Sequence, residues 1–195
     1  MSGPPFHAGS DPELVAAALR GDASAYAELV RRRHAEILGL CLSLLRDPSE
    51  AEDAAQEVFI KAYRSLAGFG GRSSFHTWLY RIASNHCLDL LRRKKREKSQ
   101  SLDALMEDGS LLLDVLAGER DAGARVEGAD LLDRILGSLS PEERVLVTLR
   151  EAQGLSYIEM SRALDCSVDA IKSRLKRTRQ KLRGTLRHLR ESRNV

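Results

Sequence analysis

LSYIEMSRALDCSVDAIKSRLKRTRQKLRGTLRHLR, residues 155–190, is the stretch from which the fold class can be read. Ser156 and Glu159 have the spacing of a capping box, in which each side chain satisfies the other's backbone N–H at a helix start. The helix they open is expected to end near Asp165, and after a three-residue turn Ser167 caps a second helix. Along that helix Val168, Ile171, Leu175, Thr178, Leu182 and Leu186 follow a three-four rhythm, so one side packs. Its remaining surface is basic: nine Lys or Arg and no Asp or Glu lie between Ala170 and Arg190. A solvated basic tail would carry that charge without the apolar rhythm. A short helix, a tight turn and a basic amphipathic helix form a helix-turn-helix unit built to lie in a DNA groove.

Near its N-terminal half this helix presents Asp169, Lys172, Ser173, Lys176 and Arg177. Long cations there reach guanine edges bidentately or grip phosphates, and the sequence leaves open which does which. Arg179, Lys181 and Arg183 lie further along, where holding the backbone is the expected role. Ser156 and Ser167 weigh as caps rather than base readers. Working outward, SerProGluGlu (140–143) starts another helix, with Ser140 as cap, Pro141 first and Glu143 reaching back, and Gly154 ends it. Leu131, Leu132, Ile135, Leu136 and Leu139 give a helix before that one. Four short helices thus fill residues 129–190, leaving 191–195 as a tail.

With 195 residues the chain has room for one large domain or two small ones. Leu, Ala, Arg and Glu dominate and β-branched runs are few, which predicts an all-α fold. The net charge of +3 matters less than its distribution. Nine acidic and only two basic residues lie between Leu102 and Asp133, and the polarity then reverses. Periodicity fades over 97–128 as Ser, Gly and Asp enter, the pattern of an acidic linker. Cys41, Cys87 and Cys166 are far apart, with no CxxC or Cys/His cluster, so reduced thiols and no metal site are expected. No Gly-rich phosphate loop, HExxH or GxSxG appears, which argues against an enzyme, a cofactor or a small-molecule substrate. No apolar run approaches the roughly 20 residues that span a bilayer, and the first residues lack a signal-peptide pattern. A soluble, cytoplasmic protein with a flexible 1–10 start is the expectation.

Residues 11–96 read as a compact helical bundle. Asp11-Pro12 can cap a first helix through Leu19. A second starts after Asp22 or Ser24 and buries Tyr26, Leu29, Val30, Ile37, Leu40, Cys41, Leu44 and Leu45, and Asp47-Pro48 stops it. A third carries Ala51, Ala54, Ala55, Val58, Phe59, Ala62, Tyr63 and Leu66 at helical spacing. Its other side is an acidic ridge of Glu50, Glu52, Asp53, Gln56 and Glu57. That ridge is either a solvated surface, the usual fate of charges, or a dock for a basic protein, and the residues alone favour the first. GlyPheGlyGly (68–71) breaks the pattern, and Ser73 or Ser74 opens a fourth helix to about Arg96. Phe75, Trp78, Leu79, Ile82, Ala83, Cys87 and Leu90 can pack inward there, leaving His76, Thr77, Tyr80, Arg81, Ser84 and Asn85 outside. Aromatic and amide groups beside the basic block 92–96 suit unpaired bases, which stack on rings and offer their edges to amides. Trp78 by itself still weighs toward the core, and His76 and His86 weigh toward a half-buried surface rather than a ligand role.

The order DPSEAEDAAQEVFIKAYRSL (47–66), FHTWLYRIASNHCLDLLRR (75–93) and LSPEERVLVTLREAQGLSYIEMSRALDCSVDAIKSRLKRTRQKL (139–182) resembles the sigma-70 family of bacterial transcription initiation factors. More narrowly it resembles the extracytoplasmic-function group, which keeps only the second and fourth conserved regions. The resemblance implies two small helical domains, region 2 over 11–96 and region 4 over 129–190, joined by the acidic linker 97–128. It implies a non-enzymatic factor whose partners are core RNA polymerase (β′ clamp helices and β flap), promoter DNA and an anti-sigma protein. By resemblance, Asp53, Gln56, Glu57 and Lys61 belong to the surface for the β′ clamp helices, which reverses the solvated reading of the ridge. The loop with Phe69 and the helix with Asn85 match positions that capture a flipped base of the −10 element. His76, Trp78, Arg81, Arg92 and Arg93 lie in the same melting region, although His76 stands where Arg or Tyr is common in the group. Leu155 through Arg174 match the helix-turn-helix that reads the −35 element, to which Ser167, Asp169, Lys172, Ser173, Arg174, Lys176, Arg177 and Arg179 are assigned. Unpairing a base costs a few kcal/mol per flipped nucleotide, more than a small bundle can supply without a larger partner. The competing reading, an autonomous helix-turn-helix regulator with a dimerising or ligand-sensing bundle, predicts duplex binding without polymerase and an acidic ridge indifferent to charge reversal.

Overall fold

The computed structural model describes residues 9–107 and 135–191, and every regular element among them is helical. Helices α1 (Asp11–Leu19), α2 (Ala23–Leu45), α3 (Pro48–Ser65) and α4 (Phe75–Glu107) build an N-terminal module. Helices α5 (Pro141–Val147), α6 (Tyr157–Leu164) and α7 (Val168–Glu191) build a C-terminal one. A 3-10 turn, Leu66–Gly68, leads into the loop before α4, and a π-helical turn, Thr148–Ala152, extends α5. The all-α expectation with two small modules holds. The expected N-terminal arm up to residue 8, the linker from 108 and the first part of the C-terminal module up to 134 lie outside the described residues, as does the tail from 192.

The helix starts follow from their caps. Asp22 accepts from Ser24 N at 3.0 Å and Ala25 N at 3.2 Å to open α2, and Asp47 accepts from Glu50 N at 2.9 Å to open α3. The first helix corrects the expectation that Asp11-Pro12 caps it. Ser10 is the cap, donating its backbone N–H to Glu13 at 2.7 Å, while the Asp11 carboxylate accepts from Arg33 of α2 at 2.6 Å. Ser-x-x-Glu offers a reciprocal cap, and the Asp11 carboxylate is turned to Arg33 instead.

Leu29, Ile37, Leu40 and Leu44 of α2, Val58 of α3 and Leu79 of α4 are fully buried and form the centre of the N-terminal module. Tyr26 donates its hydroxyl to the Phe59 carbonyl at 2.6 Å, joining α2 to α3. Cys41 and Cys87 are also buried, with their sulfurs 3.6 Å apart, and contact with Cys87 followed by burial pushes the Cys41 thiol up.

Three further expectations are corrected. Helix α4 continues eleven residues past Arg96, into the segment read as linker. Between Arg96 and Gly109 the chain holds no Gly or Pro, and Glu, Lys, Gln, Leu, Ala and Met are good helix formers. Tyr63 is not core: Ala62 takes the inner position, and Tyr63 lies 52% exposed with its ring 4.8 Å from that of Tyr26. Thr77, Tyr80 and Ser84, expected on the outer side of α4, are buried. They lie at i, i+3 and i+7, one stripe of the helix, and the C-terminal module packs on the face that carries Tyr80. The core runs continuously from Leu14 of α1 to Leu175 of α7. Across the junction Tyr80 donates to Gln153 Oε1 at 2.6 Å, Thr148 to Ser43 Oγ at 3.0 Å, and Arg144 to the Leu44 carbonyl at 3.0 Å.

Because Leu40 is fully enclosed, Leu40→Ala is expected to cost about 2–5 kcal/mol through reduced burial and the cavity left behind. Urea unfolding monitored by circular dichroism checks this, as a lower midpoint at an unchanged slope.

Candidate nucleic-acid and polymerase interface

Helix α7 is positioned by its apolar stripe and by the turn before it. Ile171, Leu175 and Thr178 are buried. Asp165 takes a left-handed conformation (φ +50°), Ser161 donates to the Cys166 carbonyl at 2.5 Å, and Ser167 Oγ accepts from Ala170 N at 3.2 Å. This packing leaves Lys172, Ser173, Arg174, Lys176 and Arg177 exposed. Asp169 is exposed beside them, 3.6 Å from the Lys172 ammonium. Arg179 stands apart. It donates to Glu151 at 2.6 Å, and that bond raises its affinity for its proton. Lys181 pairs likewise with Glu143 at 2.8 Å. These two cations tie α7 to the preceding helices, with Arg179 using one of its guanidinium nitrogens on Glu151.

The acidic ridge of α3 divides in two. Glu50 pairs with Lys94 of α4, and Glu52 lies 3.6 Å from His34 of α2. Asp53 and Gln56 face solvent, with half-buried Glu57 beside them. Lys61 is exposed and donates to Nδ1 of His86 at 2.7 Å; burial, then the Lys61 charge, lowers the affinity of that imidazole for a proton, so it accepts as a neutral ring. On the same outer face Ile60 and Tyr63 are 43% and 52% exposed. They line a groove of about 490 Å³ with Ala23, Tyr26, Phe59 and Arg64. Ile60 comes seven residues after Asp53, two helical turns on, a spacing that could have flagged it in the sequence.

The loop after α3 brings aromatic rings together. Phe69 lies 5.1 Å from Trp78 and 6.1 Å from Phe75, and Phe75 lies 5.7 Å from Trp78. Phe75 is buried, whereas Phe69 and Trp78 are half-buried. Both of the latter open onto a cavity of about 470 Å³ shared with Arg72, Arg81, Arg162 and Asp165. Rings beside guanidinium groups suit a base and its phosphate. The last two lining residues come from α6 and the turn after it, and Arg81 pairs with Asp165 at 3.3 Å. His76 is not among the lining residues. Its Nε2 lies 3.1 Å from Glu36 and its ring 4.4 Å from Tyr80, and burial pushes its pKa down against the pull of Glu36. Asn85, Arg92 and Arg93 are exposed further along α4, with Arg92 paired to Asp89 at 3.0 Å.

Gln153, Asp165, Glu151 and Glu36 were absent from the sequence-derived sites. Each acts on a side chain distant in the chain, so no local spacing could have marked them. Among the described residues no group of His, Cys, Asp or Glu could hold a metal, and no helix is long and apolar enough to cross a membrane.

Comparison with known proteins gives this geometry its context. Sigma-70 region 2 matches residues 29–97, and sigma-70 region 4 matches residues 129–182. The RNA polymerase sigma-H factor of Pseudomonas aeruginosa is 37% identical over 92% of this chain and 95% of its own length. The ECF RNA polymerase sigma-E factor of Escherichia coli is 35% identical over 88% and 91%. The chain belongs to the sigma-70 family, in its extracytoplasmic-function (ECF) group. As a sigma factor it binds core RNA polymerase and promoter DNA, directs promoter-specific initiation and is not an enzyme. Among solved structures, CnrH in complex with the cytosolic domain of CnrY superposes with a TM-score of 0.68 at 25% identity, covering 92% of this chain and 99% of that one. The sigma factor RpoE of Bartonella quintana, in complex with the anti-sigma factor NepR, gives 0.63 at 25% identity over 83% and 96%.

Lys172→Ala and Lys176→Ala are expected to weaken binding to −35 duplex and to flatten the slope of log K against log salt by about 0.9 for each phosphate left without its cation. Anisotropy titrations of a labelled duplex over a salt series measure both.

Proposed function

We propose that this sigma factor divides initiation among three surfaces. Asp53, Gln56, Glu57 and Lys61 on α3 dock on the β′ clamp helices, with Ile60 and Tyr63 as the apolar contact among the charges. Phe69, Trp78, Arg81 and Asn85 take unpaired bases of the −10 element, and Arg92 and Arg93 hold the adjoining backbone. His76 positions the start of α4 through Glu36. The outer face of α7, from Ser167 through Arg177 with Arg179 at its edge, reads the −35 element while region 4 meets the β flap. The observation that carries this reading is the Phe69–Trp78 ring pair opening onto a cavity with Arg72 and Arg81, on the module opposite in role to the duplex-reading helix.

The likeness to RpoE in complex with the anti-sigma factor NepR supports an anti-sigma protein as a further partner. The chain acts in the cytoplasm, where polymerase works. The test of the whole reading is transcription in vitro with core polymerase on a genomic fragment library, with and without this chain. New start sites that share −35 and −10 sequences are expected, and their absence would overturn it.

Two variants divide the surfaces. Asp53→Lys/Glu57→Lys is expected to lose co-purification with core polymerase while its circular dichroism stays that of the parent, and retained association sinks the docking assignment. Asn85→Ala is expected to lower open-complex formation, read by permanganate reactivity of unpaired thymines, about tenfold for the loss of roughly 1.4 kcal/mol of hydrogen bonding. Initial promoter binding changes less; equal loss of both would count against base capture.

A further inference from the structure

Helix α7 is longer than its packing requires. The match to region 4 stops at residue 182, and the helix runs on to Glu191. Its packed stripe weakens over the same span: Ile171, Leu175 and Thr178 are buried, Leu182 is half-buried and Leu186 is 37% exposed. Thr185 lies 3.3 Å from Ser138 Oγ, which keeps this part of the helix against its module. Arg183 and Arg187 stand on the overhang. Both are exposed, and neither has an acidic partner among the described residues. Arg179 and Lys181, just before them, are tied to Glu151 and Glu143.

These cations keep an angular register. Lys172, Lys176, Arg183 and Arg187 are separated by four, seven and four residues. At about 100° per residue they fall within about 60° of the helix circumference, in line with the face assigned to the −35 element. No Asp or Glu interrupts them between Ala170 and Arg190. Attraction of cations to a helix C-terminus is confined to the last turn, and Arg183 is two turns before Glu191. Solubility alone sets no register. Length then decides what the stripe can meet. Lys172 and Lys176 are about 6 Å apart along the axis, inside a major groove about 12 Å wide. Arg183 and Arg187 lie about 16 Å and about 22 Å from Lys172 at ~1.5 Å per residue, past the groove and over its phosphate wall. The C-terminal end of a recognition helix contacts the backbone in the same way in homeodomains.

We infer that the end of α7 is a phosphate clamp, in which Arg183 and Arg187 grip the backbone of duplex DNA beside the −35 element. Its ligand is the sugar-phosphate chain, whatever the base sequence. Arginine suits that ligand, because its planar guanidinium binds two phosphate oxygens at once. The clamp adds affinity and fixes register without reading bases.

The clamp presupposes α7 as the −35 helix, a reading that Lys172→Ala/Lys176→Ala tests separately. A duplex centred on the −35 sequence recovered by transcription in vitro is made in two forms. One has ordinary phosphates in both flanks, and the other has uncharged methylphosphonate linkages there. At low salt the full chain is expected to bind the first about tenfold more tightly. Arg183→Gln/Arg187→Gln keeps a good helix former at both positions and is expected to lose that difference. Its slope of log K against log salt on the ordinary duplex flattens by about 1.8, for two phosphates at ~0.9 each. Lys172→Ala/Lys176→Ala instead weakens binding to both duplexes and retains the difference between them. In the holoenzyme, hydroxyl-radical cleavage beside the −35 element is expected to be suppressed with the parent and restored with Arg183→Gln/Arg187→Gln. Equal binding of the two duplexes by the parent overturns the clamp. So does a double arginine variant with parental preference, slope or footprint. Weaker association of that variant with core polymerase at unchanged duplex binding also overturns it, because the helix end then serves a protein surface.

Discussion

Helix α4 is buried on two sides at once, and the rest of the molecule is arranged around that constraint. One side gives Phe75, Leu79, Ala83 and Cys87 to the N-terminal core, and an adjacent stripe adds Thr77, Tyr80 and Ser84 to the buried set, with Tyr80 reaching Gln153 of the second module. Over residues 75–91 the helix retains a narrow solvent-facing strip with Arg81 and Asn85, and from Arg92 to Glu97 every residue is exposed. Its neighbours supply packing and caps. Helices α5 and α6, of 7 and 8 residues, are too short to persist alone in water and rely on that packing. Tyr80 with Gln153 and Thr148 with Ser43 pair polar side chains across the junction.

Charge separates by task more than by domain. Glu143 and Glu151 hold Lys181 and Arg179, so α7 is fastened by part of its own basic complement and presents the remainder. Glu50 and Glu52 are used inside the N-terminal module, whereas Asp53 and Gln56 face outward. In both cases one sign of charge serves two purposes on a single helix, and the sequence pattern shows only the sum. Such exposed pairs contribute little to stability individually, about 0–1 kcal/mol each. Their effect is on geometry: they decide which cations and anions remain available to a partner.

Local signals made most of the fold legible. Capping boxes at Ser140 and Ser156 and the Asp47-Pro48 boundary each depend on residues within a few positions and stand where expected, and the apolar rhythms of α3 and α7 hold except at Tyr63 and Leu186, which are exposed. Two of the exceptions share a cause. Ser10 displaced Asp11 as a cap because Arg33, 22 residues away, holds the carboxylate. Tyr80 proved buried because Gln153, 73 residues away, covers its hydroxyl. Periodicity tells how wide an apolar stripe is, but not whether a second module will cover polar residues beside it. The exposed cations of α7 were legible as a group because one face packs and the others cannot. The partition between presented and fastened cations was not, since Glu143 and Glu151 belong to another element.

The extension of α4 to Glu107 alters the mechanics of the connection between modules. Eleven residues that would reach some 36 Å as extended chain rise only about 16 Å as helix. Fewer residues, 108–134, are left to connect the two modules, and they start at the tip of a stiff boom. Because the effective concentration of tethered partners falls roughly as the −3/2 power of leash length, each module encounters the other, or a second site on a common scaffold, more often than a longer tether would allow.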